Sequence, residues 1–339
     1  MKFTLPISPE YVAHWGLWEA VREIYQNALD EGGAKLTYNE WKGLLEISTE
    51  TGHLTPQSLV LGTSTKRADE TKRGKFGEGY KLALLVLARM QFAVTIQNGD
   101  ELWIPALEYD EQFNADILTI QTEASNETIP GVLFTIAQVT PEQYADLQRN
   151  IRAEVVDTIL DDLKESGRIY VGGLYVSTAK RFKCGYAFRP GVVKLDRDRG
   201  MVDDFDLAYA TSRLWTDSGH SARVSELLEA EAPDVEYVEA HISEGSTFAT
   251  DHYNYYVARH AYAIPVSTQE EIQRAAAAGV KWVLVPEKVK AMLHLVKSWF
   301  IPDHRPLLDR LKEFQKRHQY YLSSLGRREL EDIIKSLEQ

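Results

Sequence analysis

One cysteine, Cys184, occurs among 339 residues, so no internal disulfide can form and a zinc–cysteine cluster is excluded. No apolar run approaches the roughly 18 residues that cross a bilayer, and the opening MKFTLPISPE lacks the apolar stretch of a secretory signal. Positive charge is in deficit: 38 Lys and Arg stand against 50 Asp and Glu, a formal net charge of -12. Such a field disfavours nonspecific binding to nucleic acid, whose phosphates dominate affinity. Repeats, low-complexity tracts and long linkers are also missing. These absences favour a soluble protein of the reducing cytoplasm with no membrane partner. A hydrophobic share of 44% supplies a sizeable core, and the length suggests more than one domain.

Hydropathy patterning places the elements. LWEAVREIYQNALDEGG, Leu17 to Gly33, reads as a helix stopped by Gly32 and Gly33. At about 100° per residue, Leu17, Val21, Ile24 and Ala28 share one side, and Glu19, Glu23, Asn27 and Asp30 the other. KLTYNEWKGLLEIST reads as two strands with a turn near Asn39 to Gly43, followed by a short helical piece within 54–61. An unbroken apolar character makes Tyr80 to Met90 a buried helix. Strands are expected at Phe92–Gln97, Leu102–Leu107, Ile117–Thr122 and Gly131–Ala137, with a hairpin turn at Asn98-Gly99-Asp100. MKFTLPISPEYV suits either a first strand or an exchanged arm. The pattern implies an α+β fold, helices layered on a mostly antiparallel or mixed sheet, over 1–140. A helix from Pro141 to about Leu163 and the strand-like RIYVGGLYVS and YAFRPGVVK open a second α/β domain over 141–215. Residues 216–339 read as mostly helical, with one strand at Trp282–Val285.

Two constellations carry chemistry. In RGKFGEGYKLALLVLARM, Arg73 to Met90, glycines stand hard against a helix start. Gly77 and Gly79 let a backbone approach a ligand closely, and the helix offers free N–H groups to an anion. A tight turn that merely starts a buried helix is the alternative. The stretch is neither a P-loop nor a dinucleotide fingerprint, since Leu82 stands where the third glycine would be. Lys66, Arg67, Lys72 and Arg73 form a basic patch beside it, or a solvated loop. The second constellation is Glu23 and Asn27, four apart and therefore neighbours on the helix. A carboxylate there can orient water, and an amide oxygen can ligate Mg²⁺; an ordinary solvated polar face is the alternative. His252 and His260 lie among Tyr253, Tyr255, Tyr256 and Tyr262, which suits a packed aromatic region better than a ligand set.

Together these stretches resemble the GHKL ATPases, the superfamily of Hsp90, gyrase B, MutL and histidine kinases. EIYQNALDEGG, Glu23 to Gly33, resembles the family's N-box, with Glu23, Asn27 and Asp30 matching position by position. LGTSTKR, Leu61 to Arg67, is similar to the start of the ATP lid. GKFGEGYK, Gly74 to Lys81, is similar to the lid-closing glycine box, in the style of Hsp90 and MORC proteins. The resemblance covers roughly residues 15–137. It implies a two-layer sandwich that binds ATP and Mg²⁺. Glu23 would position the attacking water, Asn27 would hold Mg²⁺, and Asp30 would support the site through water or ribose. Thr63, Ser64 and Lys66 of the lid, with Lys75, Phe76, Gly77, Glu78, Gly79, Tyr80 and Lys81 of the glycine box, would surround the phosphates.

The departures fall at the base. The family's D-x-G-x-G motif becomes ISTETGHLTPQSL, where Glu50 and Gly52 stand for its Asp and first Gly, and Leu54 replaces the second Gly. Its final Gly-Thr becomes Gly131-Val132. In the second domain, VKLDRDRG brings Lys194, Arg197 and Arg199 as residues able to reach a γ-phosphate; alternating Asp and Arg equally suit surface ion pairs. The resemblance implies an ATPase whose lid closure drives a change in conformation or in the binding of a protein partner or client, with homodimer formation allowed. The alternative is a non-hydrolysing interaction protein with a degenerate nucleotide site. A kinase of the histidine-kinase type fits less well, because the glycine box is of the other style.

Overall fold

The computed structural model describes residues 1–59, 79–196, 202–296, 307–318 and 320–337. They fall into two compact units, Met1–Leu214 and Trp215–Gln339.

In the first unit, β1 (Lys2–Leu5), β2 (Lys35–Asn39), β3 (Leu44–Ser48), β4 (Val94–Asn98), β5 (Glu101–Asp110), β6 (Ala115–Ala124) and β7 (Val132–Ile136) make one sheet. Its order is β1-β6-β5-β4-β7-β3-β2, antiparallel at every pairing. Period-two side chains put Leu45 and Ile47 of β3, Val94 and Ile96 of β4, and Phe134 and Ile136 of β7 into the core. Two helices, α1 (Leu17–Asp30) and α2 (Gly79–Arg89), pack on each other and on this sheet. In α2 every residue from Leu82 to Leu87 is buried, so the helix has almost no solvated side. The fold is therefore α+β, helices layered on an antiparallel sheet. The opening residues are a strand: Lys2 to Leu5 pair with β6.

α3 (Pro141–Arg149) is capped by Thr140, whose hydroxyl accepts from the Gln143 N–H at 3.2 Å. It ends at Arg149, some four turns short of the expected Leu163. The cause is tertiary. Asn150 O accepts from Tyr175 N at 2.9 Å, and Arg152 N donates to Gly173 O at 2.8 Å, so the next strand claims the backbone that the helix would need. Val155, Val156, Thr158 and Ile159 then bring β-branched side chains that favour extended chain. These residues lead into a second sheet of β8 (Thr158–Leu160), β9 (Arg168–Val171), β10 (Leu174–Thr178) and β11 (Gly185–Phe188), in the order β10-β9-β11-β8. Only β9 and β11 run parallel. α4 (Asp204–Ser218) crosses the division between the units.

The second unit holds α5 (Ser221–Glu229), α6 (Thr247–His260), β12 (Ile264–Val266), α7 (Gln269–Ala277), β13 (Trp282–Leu284) and α8 (Glu287–His294). β12 and β13 pair in parallel across α7, a small βαβ unit whose first strand has too few residues to show in the sequence pattern. The tail forms α9 (Leu307–His318) and α10 (Ser324–Leu337). No described helix is long and apolar enough to cross a membrane.

The second unit carries a buried histidine. His252 of α6 is 1% exposed, and its Nδ1 lies 2.7 Å from Ser225 Oγ. Ser225 donates its own hydroxyl to Ser221 O at 2.8 Å, so Nδ1 is the donor of the pair. Burial pushes the imidazole down to about 4, opposed in part by a hydrogen bond with the Val289 backbone. The folded imidazole thus binds its proton more weakly than the unfolded one, whose value is 6.5. The stability it contributes is full above pH 6.5 and is lost as pH falls towards 4, by about 3 kcal/mol. Denaturant titrations from pH 7 to pH 4 should show this loss, and His252→Leu should flatten it. A parallel loss in the variant would assign the acid sensitivity elsewhere.

Candidate functional site

α1 starts at Gly16, whose N–H donates to Glu19 Oε2 at 2.8 Å, and stops at Asp30, with Gly32 in the left-handed region at φ 109°. The apolar side is buried as its periodicity requires. The polar side is buried too: Arg22, Glu23, Gln26 and Asp30 all lie below 8% exposure. A helix with charged residues shut away on its polar side has them placed for a reason, because unpaired buried charge is costly. Glu23 Oε1 accepts from Arg22 Nε at 3.3 Å and Nη2 at 3.1 Å. The Arg22 guanidinium sits 5.7 Å from the centre of the Trp15 ring. The carboxylate of Glu23 is therefore fixed by the residue before it.

The other oxygen of Glu23 meets α2. A Cβ built on Gly79 would fall 2.2 Å from Glu23 Oε2, inside any real contact distance. Gly79 is thus the residue that lets the first turn of α2 settle on a carboxylate. That turn carries free N–H groups and the positive end of the helix dipole, a favourable place for negative charge. Tyr80 and Lys81 secure the same turn from the far side. Tyr80 OH lies 2.8 Å from Ser58 Oγ, and Lys81 Nζ donates to Ser58 O at 2.8 Å. Both reach the short 3₁₀ turn Pro56–Leu59. Burial pushes the Tyr80 hydroxyl up to about 12, offset in part by Ser58. Lys81 is fully buried, so its ammonium serves this internal junction.

Asn27 lies one turn beyond Glu23 and donates from Nδ2 to Glu23 O at 2.9 Å. Its Oδ1 has no partner among the described residues. Asp30 is buried in the last turn. The chain after β3 returns beside this end of α1: Thr51 Oγ1 donates to Glu31 O at 2.8 Å, and Gly52 lies against the Glu31 side chain. Glu50 is exposed. Gly131 backs onto Thr49, whose backbone oxygen would stand 2.1 Å from any Cβ there. Thr63, Ser64, Lys66, Lys75, Phe76, Gly77 and Glu78 lie outside the described residues, as do the rest of the basic patch and Arg197 and Arg199. Lys194 is well exposed, 4.0 Å from Asp206 Oδ2.

Two residues of the site escaped the sequence pattern. Arg22 was hidden because its role depends on Trp15 and Glu23 together; a charged residue directly preceding Glu23 was the only signal. Asn98 reads as a turn former before Gly99, yet it is buried and clamps the segment after β3. Its Oδ1 accepts from Leu54 N at 2.9 Å, and its Nδ2 donates to Leu54 O at 2.9 Å. His53 Nδ1 lies 3.4 Å from the same Oδ1.

No protein-family profile matches the chain, and no curated protein matches it. Among solved structures it is similar to the ATPase region of Saccharomyces cerevisiae topoisomerase II, with 10% identity and a TM-score of 0.28. The similarity covers 40% of this chain and 43% of that one. The same region bound to ICRF-187 (dexrazoxane) gives a TM-score of 0.27 at 10% identity, with the same shares. The chain thus spans less than half the length of the structures it matches. A similarity of this size assigns no function.

The Gly79 contact makes a direct prediction. Gly79→Ala should cost about 1–3 kcal/mol by overpacking. Combined with Glu23→Ala, which removes the carboxylate it strikes, the cost should shrink by about 1 kcal/mol or more in a double-mutant cycle. Additive losses in chemical denaturation would show that the two residues do not meet.

Proposed function

We propose that the chain binds Mg·ATP at the junction of α1 and α2 and hydrolyses it. One observation carries this reading: Glu23 is buried with one oxygen held by Arg22 and the other set against the glycine that opens α2. A carboxylate held so firmly, beside a helix start suited to anions, is placed to act on a neighbouring group rather than to fill a surface. The order of N-box, lid and glycine box supports the same reading from sequence.

The residues present fit the cofactor. Asn27 Oδ1 is an oxygen donor without a protein partner among the described residues, and a hard cation with few protein ligands takes such an oxygen. Asn27 would hold Mg²⁺, which when bound neutralises phosphate charge. Glu23 would orient the attacking water and take its proton as the γ-phosphate transfers, leaving ADP and inorganic phosphate. Arg22 would keep the Glu23 carboxylate aimed. Phosphoryl transfer asks mainly for positioning and charge stabilisation, which this short set can supply. Closure of the lid over ATP would then drive the change in conformation or partner binding.

The exposed Glu50 and the substitution of Leu54 keep a second reading in view: a non-hydrolysing protein that uses the nucleotide as a structural ligand. Steady-state release of phosphate separates the two. Wild-type protein should turn over ATP only with Mg²⁺, and Glu23→Ala should lose about 10²-fold or more in rate while still binding ATP. Equal phosphate release by wild type and variant would remove Glu23 from the reaction and favour the second reading.

A further inference from the structure

A second recess in the first unit belongs to neither the Glu23 junction nor the lid. It is a cleft of about 380 Å³ where the first turn of α1 meets α3 and the second sheet. This is within the range of small-ligand sites. Leu17, Trp18 and Leu147 supply its apolar part, Tyr175 an aromatic wall, and Asn150 and Arg168 its polar end. Trp18 and Glu23 are five apart, about 140° around the helix, so the cleft opens on another side of α1.

The polar end is built and rigid. The Arg168 guanidinium stacks 4.4 Å from the centre of the Tyr175 ring. Its Nε donates to Tyr170 OH at 2.8 Å and its Nη2 to Asn150 Oδ1 at 2.6 Å. Glu165 lies behind it, 3.5 Å from Nε. These contacts fix the plane of the guanidinium and leave Nη1 without an acceptor among the described residues. Trp18 lies 6.5 Å from Tyr175, centre to centre, and its Nε1–H is shut from water with no acceptor. A buried donor without a partner costs about 1–3 kcal/mol, which a ligand acceptor would recover. At the rim Asp146 and Arg149 face each other at 3.8 Å. The unsatisfied groups within the cleft are therefore donors, and the surface beside them is aromatic and aliphatic.

We propose that this cleft binds an organic carboxylate with an apolar or aromatic body, the carboxylate on Arg168 Nη1 and Trp18 Nε1 and the body against Tyr175 and Leu147. A pre-oriented guanidinium is the group best suited to a carboxylate. The separation of Trp18 and Tyr175 is too small for a ring to slide between them, so the body lies along the wall. The proposal is independent of the nucleotide reading, and binding is tested without ATP.

Saturation-transfer NMR on the full chain would compare phenylacetate with phenylacetamide, which has the same body and no charge. Phenylacetate should bind saturably and the amide much more weakly. Arg168→Met should weaken phenylacetate by about tenfold or more, the value of a charge-assisted hydrogen bond, and Trp18→Phe, which keeps a ring and removes the N–H, should weaken it severalfold. If Arg168→Met fails to fold by circular dichroism, Trp18→Phe decides. The tripeptide Ala-Ala-Phe, with its terminus free or amidated, identifies the source. Binding of the free form with loss on amidation indicates a peptide C-terminus, and binding of phenylacetate alone indicates a small free acid; either supports the carboxylate site. No binding of phenylacetate, equal binding of its amide, or no effect of the folded variants overturns it.

Discussion

The seating of α2 on the Glu23 carboxylate is the constraint on which the first unit depends. A helix start wants negative charge, and a buried carboxylate wants donors, so the two suit each other. The fit leaves no room for a side chain at Gly79. Once α2 is seated, its apolar residues lie in the core from every side, and the sheet beneath takes its register from the same packing. Arg22 completes the arrangement by holding the oxygen that α2 does not meet.

This constraint ties stability to the candidate chemistry. The residues able to orient water and hold Mg²⁺ stand on the helix whose other side fills the core, so they cannot drift without disturbing the fold. The surrounding loops are fastened by polar clamps rather than by apolar contact. Asn98 pins the chain after β3 through both groups of Leu54. Ser58 receives both Tyr80 and Lys81 at the other end. Such clamps place the ends of the segment between 59 and 79 while leaving its composition free to serve a ligand. The carboxylate cleft sits further along α1, where Trp18 faces the second sheet, so one helix presents two different recesses.

Much of this was legible in the sequence, and the reasons differ by element. The strands of the large sheet show because one face is buried and their side chains alternate. α2 shows because it is apolar all round, and α1 because its glycines mark the end. The helix expected to Leu163 was misread because local periodicity continues where β10 takes over the backbone near Asn150 and Arg152. The polar stripe of α1 was legible as a stripe, but its burial was not, since burial is decided by what α2 and the loop after β3 bring to it. Arg22 and Asn98 act through partners distant in sequence or hidden by a commoner turn role. Lys81 was expected at the phosphates by its place in the glycine box; its position in the fold is an internal bond to Ser58.

The central claim is that the junction of Glu23, Asn27 and Gly79 receives Mg·ATP. Calorimetric titration of Mg·ATP into wild-type protein and into Asn27→Ala tests it most directly. The account predicts a single saturable heat in the wild type that depends on Mg²⁺ and is lost in the variant. A folded wild type that gives no heat, with or without Mg²⁺, would contradict it.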